Sequence, residues 1–182
     1  TWSWGYDQVK PQLKAASNNE IFITHKDLGN YHLFANGKPE LIFCENETNF
    51  VRLSGIDDSE GFYKDGINDY IVSKNKEAIN PDKSGTKAGV SYVINIPAGK
   101  SEIIQLRLSS AAHKNPFAAF EEIFETRTTE ANSFYQGLQS AIENEEAKNI
   151  QRQALAGMLW SKQYYYFDIP QWLRGDPSQP SP

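Results

Sequence analysis

The chain has 182 residues, of which 39% are hydrophobic and 13% aromatic, and its 18 basic and 23 acidic residues give a net charge of −5. Charges of both signs are mixed along the chain, which argues against the basic patch of a nucleic-acid surface. No apolar run approaches the ~18 residues of a membrane-spanning helix, so we expect no membrane partner. The single cysteine, Cys44, has no disulfide partner within the chain and lies in an apolar run that is typical of a buried position.

The first quarter of the chain carries the alternating pattern of β-strands. Strands are predicted at Glu20–His25, Tyr31–Ala35 and Glu40–Cys44, which are rich in β-branched and aromatic residues. Asn36-Gly37 separates the last two strands and is a strong signal for a two-residue hairpin turn. These three segments therefore predict an antiparallel meander. Upstream, Val9–Leu13 contains a proline and is expected to form a loop or a short edge.

Polar loops and one further pair of strands follow. Residues 45–49 (ENETN) interrupt the strand pattern, and residues 55–66 and 74–87 are predicted loops. A long strand is predicted at Val90–Ile96. The chain turns at the sequence PAGK and returns at Ser101–Ser109, which predicts a second hairpin and a sheet that extends to about Ser110.

The remaining residues favour helices. Residues 117–138 have a helical period, with Asn115 as the predicted N-cap and Pro116 at the first helical position. Residues 149–168 are apolar and aromatic on nearly every helical face, and a helix that is apolar all round is buried all round. We therefore expect this helix to be the first of a helical domain whose other helices lie outside this sequence, and residues 175–182 to be a loop. The predicted fold class is α+β, mainly β followed by α.

A group of polar residues in the β region is the first candidate site. Glu45 and Glu47 lie two residues apart, so on a strand they would share a face like the paired carboxyl groups of a glycosidase. The alternative is a hydrogen-bonded loop anchor that includes Asn49. Lys64 and Asp65 adjoin at a predicted turn, where the simplest interpretation is a surface ion pair. We predict these five residues to be loop anchors near a domain interface.

The aromatic helix is the second candidate site. Trp160, Gln163 and Tyr165 could line a sugar site, and the alternative is packing between helix layers. The three histidines have no metal-ligand spacing, and the chain contains no nucleophile elbow, P-loop or dinucleotide-binding motif. The sequence therefore predicts no catalytic residue, no metal and no cofactor. Its composition favours neither the cytoplasm nor secretion or the periplasm.

Several of these stretches together resemble a known family. They are ENETN (45–49), YKDGINDY (63–70), NPDKSGTKAG (80–89), FEEIFETRTTEANSFY (120–135), RQALAGMLWSKQYYYFD (152–168) and WLRGDP (172–177). In this order they resemble the bacterial and fungal glucosidase-like proteins of glycoside hydrolase family 63. The resemblance implies an antiparallel β-super-sandwich portion at 1–110, a helical linker at 111–148, and the start of an (α/α)6 catalytic barrel at 149–182.

The resemblance also implies a reaction. Members of the family hydrolyse O-glycosidic bonds of an oligosaccharide or glycoside with inversion, using an Asp acid and a Glu base from later barrel loops. None of those motifs occurs in these residues, so the chain by itself is expected to be inactive. Two alternative functions that involve no catalysis remain open. One is a carbohydrate-binding module that uses rings such as Trp2, Trp4 or Tyr63, and the other is a structural module that associates into a homo-oligomer.

Overall fold

A computed structural model of the chain describes residues 9–55, 61–161 and 169–174. The chain divides into two compact units, Thr1–Phe117 and Ala118–Pro182. The first contains antiparallel sheet with short helices, and the second is helical where it is described. The predicted α+β class, with strands preceding helices, is therefore confirmed. The domain limits proposed after residues 110 and 148 stay predictions.

The first unit is built from seven strands, two helices and one short 3-10 turn in its described part. The strands are β1 Gln12–Ser17, β2 Glu20–His25, β3 Gly29–Ala35, β4 Glu40–Cys44, β5 Ser84–Gly85, β6 Lys87–Ser91 and β7 Leu106–Ser109. The helices are α1 Phe50–Ser54 and α2 Gly66–Ser73, and the 3-10 turn is Lys76–Ala78. The strands form a five-stranded sheet in the order β5-β1-β2-β3-β7 and a two-stranded sheet of β4 and β6.

The core of this unit lies between residues of both sheets. On the five-stranded sheet, Ile21 lies opposite Ala15 on one neighbour and opposite Leu33 on the other. Ile21 forms one buried cluster with Leu41 and Phe43 of the two-stranded sheet. Because alternate residues of a strand point to opposite faces, this cluster defines the buried face of the larger sheet.

The predicted meander is correct for β2 and β3 and wrong for β4. After Asn36-Gly37, β4 does not pair with β3 but leaves for the second sheet, where it pairs with β6. All four residues from Leu41 to Cys44 are buried, so β4 requires cover on both of its faces. A hairpin on β3 would not supply that cover. The loop expected at Val9–Leu13 is correct for residues 9–11, but Gln12 and Leu13 begin β1, which is an inner strand between β5 and β2.

The predicted second hairpin is also wrong. The strand expected at Val90–Ile96 ends at Ser91, and β7 begins only at Leu106 and pairs with β3. Apolar residues between them are exposed, including Val93 and Ile103. Of the two predicted strands, only residues 90–91 and 106–109 are in strands, and β7 pairs with β3 and not with β6. Partner choice therefore overrides the local hairpin signal.

The sequence reasoning missed α1 and α2. Helix α1 is one short turn that is defined by its caps: the Asn49 side chain accepts a hydrogen bond from the backbone N–H of Arg52. At its C-terminal end Gly55 adopts a left-handed conformation with φ of 67°. Such short helices have too few residues to show a helical period, so their caps carry the only local signal.

The second unit contains α3 Phe120–Leu138, α4 Glu145–Ser161 and α5 Ile169–Arg174. The helical period predicted for residues 117–138 is confirmed, but Asn115 and Pro116 do not begin the helix. Helix α3 starts after Ala119, without a side-chain cap. The carbonyl oxygen of Pro116 instead accepts a hydrogen bond from Arg107, which holds this stretch beside β7.

Helices α3 and α4 contact each other through polar side chains. Arg152 donates a hydrogen bond to Asn132 over 2.7 Å and lies 4.7 Å above the centre of the Tyr135 ring. Gln139, at the end of α3, donates to the backbone oxygen of Lys148. A search of the described helices finds none that is long and apolar enough to cross a membrane.

Candidate functional site

Two loops of the first unit meet beside β4. The backbone N–H of Glu45 donates to the oxygen of Phe62 over 2.6 Å, and that of Lys64 donates to the oxygen of Glu47 over 3.2 Å. These bonds join the ENETN segment to the segment that enters α2. The local reason is that ENETN follows a buried strand and has no strand partner of its own, so its backbone groups are satisfied by the second loop.

Asp65 is the centre of the side-chain network. Its two carboxylate oxygens accept hydrogen bonds of 3.3 and 3.1 Å from the Asn49 amide. Nη1 of Arg52 lies 2.9 Å from Oδ2 of Asp65 and 2.9 Å from Oδ2 of Asp69. One guanidinium nitrogen therefore links two carboxylates on successive turns of the chain.

The network changes the acidity of its members. Burial acts to raise the pKa of Asp65, but the hydrogen bonds from Arg52 and Asn49 outweigh it and hold this pKa below its ordinary value. The hydrogen bonds of Arg52 to Asp65 and Asp69, together with the negative charges of these two carboxylates, raise the pKa of Arg52. Asp65 is accordingly ionised and oriented at neutral pH.

The other predicted loop residues bind different partners. Glu45 accepts a hydrogen bond of 2.6 Å from the hydroxyl of buried Thr86, which in turn accepts one from the backbone of residue 46. Glu47 forms an ion pair of 2.7 Å with Lys10. Lys64 donates to the hydroxyl of Thr48 over 3.0 Å. The ion pair expected between adjacent Lys64 and Asp65 is therefore wrong, because the partner of Asp65 is Arg52.

A cleft of about 430 Å³ opens at this network, between the loops, α2 and the 3-10 turn. Its volume lies within the range of roughly 300–1,000 Å³ that is typical of ligand sites. Its walls hold two aromatic residues, one amide and three carboxylates: Phe62, Tyr63, Asn49, Asp65, Asp69 and Glu77. Gly66 forms part of the floor, where a Cβ atom would lie 2.0 Å from the backbone oxygen of Ala78.

The histidines have local partners. His32 forms a pair of 2.7 Å with Glu20, and its ring stacks on Phe34. His25 accepts hydrogen bonds from the backbone of the following turn, and His113 shares one with Ser109. Within residues 9–55, 61–161 and 169–174, no group of three or more His, Cys, Asp or Glu residues is placed to hold a metal ion.

The second predicted site is described only in part. Trp160 is 89% exposed near the end of α4, and Met158 and Leu159 beside it are also largely exposed. Gln163 and Tyr165 lie outside the described residues. Cys44 is fully buried, and burial raises the pKa of its thiol to about 11, which is the opposite of what thiol catalysis requires.

Sequence reasoning did not include Arg52 or Thr86 in the site. Asp69 is a further member of this network. Its position four residues after Asp65, on a short helix, was the available signal because such residues share one helical face. No local signal marks Arg52 or Thr86, since their partners lie on other elements.

The network predicts an acid-dependent contribution to stability. Asp65→Asn is expected to lower the free energy of unfolding at pH 7 by about 1 kcal/mol, as for a partly exposed ion pair. Because the pKa of Asp65 is held below its ordinary value of 3.8, the stabilisation is present above that pH and is lost as the pH falls through the lowered pKa. Urea unfolding across this range, with Asp82→Asn as the control, would measure it. A wild-type-to-variant difference that stays constant into strong acid would contradict the assignment.

Comparisons with known proteins give one similarity and no family. No family model matches the chain, and no solved structure matches it significantly. The chain is similar to the uncharacterized protein YMR196W of Saccharomyces cerevisiae, with 31% identity over 213 aligned positions that cover 96% of this chain and 20% of the yeast protein. The chain therefore spans about a fifth of the length of this curated relative.

Proposed function

We propose that this chain is a non-catalytic portion of an inverting glycoside hydrolase of the family 63 type, which acts on an oligosaccharide or glycoside. The observation that carries the proposal is the exposed apolar end of α4. Met158, Leu159 and Trp160 are all exposed, and no residue of α4 is fully buried. Large apolar patches are rare on an isolated soluble surface, and this one suits a helix that packs among further helices.

Two further observations support the proposal. The aligned part of the yeast relative is a fifth of its length, which leaves room for a helical catalytic barrel elsewhere in a protein of this kind. The order of the described elements, antiparallel strands followed by long helices, is the order that the resemblance implies. In this proposal the first unit is part of a β-super-sandwich and α4 is the first barrel helix.

The proposed chemistry divides between this chain and the barrel. A carboxylic acid protonates the leaving glycosidic oxygen while a carboxylate activates water on the opposite face of the sugar, with the two carboxyl groups about 6.5–9.5 Å apart. Neither group is assigned to the present residues. The proposed role of this chain is to position the substrate and to support the barrel. We assign Trp160, Gln163 and Tyr165 to the lining of the sugar pocket, and the β portion to the support of the barrel.

Hydrolysis by a longer protein tests the proposal. We expect the full-length yeast relative to cleave one member of a panel of α-linked glucosides and mannosides, and the present 182 residues to cleave none. Proton NMR of the first product should show the inverted anomer, because inversion is a single displacement. Inactivity of the full-length protein on the whole panel, or a product with retained configuration, would reject the proposal.

The second candidate is a carbohydrate-binding module without catalysis, and the cleft beside Tyr63 favours it. This candidate predicts that the chain binds glycans although the longer relative is inactive.

A purely structural module that forms homo-oligomers predicts neither binding nor hydrolysis. Light scattering of the chain at several concentrations identifies that outcome through its mass.

A further inference from the structure

We propose that the cleft formed by residues 61–66, α2 and the 3-10 turn binds the ring of a neutral sugar. The choice of a sugar as ligand class rests on the proposed function, whereas the location of the cleft rests on its geometry alone. The network around Asp65 would then hold the walls of a binding site in addition to anchoring the two loops.

The walls of the cleft combine an apolar surface with close backbone approach. Phe62 and Tyr63 line one part of it. Both are half-buried, so packing against neighbouring residues restricts the positions of their side chains. Aromatic side chains offer flat apolar surface together with, in tyrosine, a polar tip. Gly61 adds wall without a side chain, which allows a ligand to lie against the main chain, whereas the Cβ position of Gly66 is taken up by the backbone of Ala78.

Carboxylate acceptors line the same cleft. Asp69 uses Oδ2 for Arg52, and within the described residues its other oxygen has no hydrogen bond. The Glu77 carboxylate likewise has no hydrogen-bond partner among the side chains that the structure describes, and Glu77 is exposed at the rim. A carboxylate has about four acceptor sites, and its hydrogen bonds with hydroxyl donors are stronger than neutral ones. Neighbouring sugar hydroxyls are donors of this kind.

The charges of the cleft make a cation the competing ligand. Nη1 of Arg52 lies 2.9 Å from Oδ2 of both Asp65 and Asp69, which compensates part of the negative charge of the three carboxylates. A cation would bind the carboxylate oxygens that this contact leaves open, and the calcium titration below tests for it. A polyhydroxylated ligand donates hydrogen bonds to the same oxygens without displacing Arg52.

Titration of the 15N-labelled 182-residue chain with D-glucose, D-mannose and maltose tests the proposal. We expect saturable shifts of the amide signals of residues 61–66, 69 and 77, with a Kd of about 1–10 mM for at least one sugar. Tyr63→Ala is expected to weaken binding at least about tenfold through loss of ring contact. Tyr70→Ala is the matched control, because Tyr70 belongs to the same segment and does not line the cleft.

Glu77→Gln keeps the test decisive if Tyr63→Ala fails to fold, because Glu77 is exposed and contributes no core packing. We expect this variant also to weaken sugar binding several-fold. Absence of saturable shifts, shifts that are equal in both tyrosine variants, or calcium ions that saturate the same signals would each overturn the proposal. Hydrolysis by the yeast relative is measured separately, so binding without hydrolysis rejects only the hydrolase, and hydrolysis without binding rejects only this cleft.

Discussion

Phe43→Ala is expected to lower the free energy of unfolding by about 3–5 kcal/mol, the largest effect of any single substitution considered. The Phe43 side chain is 0% exposed and forms a buried cluster with Ile21 and Leu41. It joins the two sheets, so its removal leaves a cavity that neither sheet can close alone. Domains of this size have a total stability of about 5–15 kcal/mol, so the variant would lose a large part of it.

Urea unfolding followed by circular dichroism would measure this loss. Phe50→Ala is the matched control, because Phe50 begins the nearby helix α1 and its side chain is 52% exposed. Substitution at such a position is expected to change stability by no more than about 0.5 kcal/mol. Equal losses in the two variants would show that Phe43 does not hold the sheets together.

Gly66→Ala is expected to cost about 3 kcal/mol through steric overlap. A Cβ atom at residue 66 would lie 2.0 Å from the backbone oxygen of Ala78 and 3.1 Å from its carbonyl carbon. Both are main-chain atoms, so relief requires the 3-10 turn to move away from α2. Because this turn carries Glu77, the same movement would open the cleft and remove one of its acceptors.

Gly157→Ala is the control for Gly66→Ala. Gly157 lies inside α4 and has nothing within 4 Å of an added Cβ atom. Alanine is the better helix former, so this variant is expected to gain about 0.5–1 kcal/mol. Thermal unfolding monitored by circular dichroism would resolve the opposite signs. A Gly66→Ala protein as stable as the wild type would disprove the close approach of α2 and the 3-10 turn.

The candidate site shows which of its contacts the local composition predicted and which it did not. A run of two carboxylates and two carboxamides next to a buried strand predicted hydrogen-bonded loop residues, and Asn49 and Asp65 do bind each other. Composition did not indicate that Arg52 would be the charged partner, because Arg52 and Asp65 are far apart in sequence and meet only when both loops are ordered. Binding partners on different elements cannot be derived from spacing along one element.

The strands show the same difference between what the local sequence predicts and what depends on distant segments. The limits of β2 and β4 agree with the segments predicted at Glu20–His25 and Glu40–Cys44. The alternation of Leu106 and Leu108 likewise predicted a strand correctly. The predicted pairing of β2 with β3 is correct, whereas the hairpins predicted at Asn36-Gly37 and across residues 90–109 are wrong, because sequence neighbours are only the default partners of a strand.

The sequence by itself determined that β2, β3 and β4 are extended and that α3 is helical, because periods of two and of 3.6 residues are local properties that the side-chain pattern records. It also determined that the chain passes from strands to helices. The tertiary structure alone decided that β4 pairs with β6, that β7 pairs with β3, and that Arg52 links Asp65 to Asp69. These choices depend on burial and on backbone hydrogen bonding between distant segments, which no single stretch of sequence encodes.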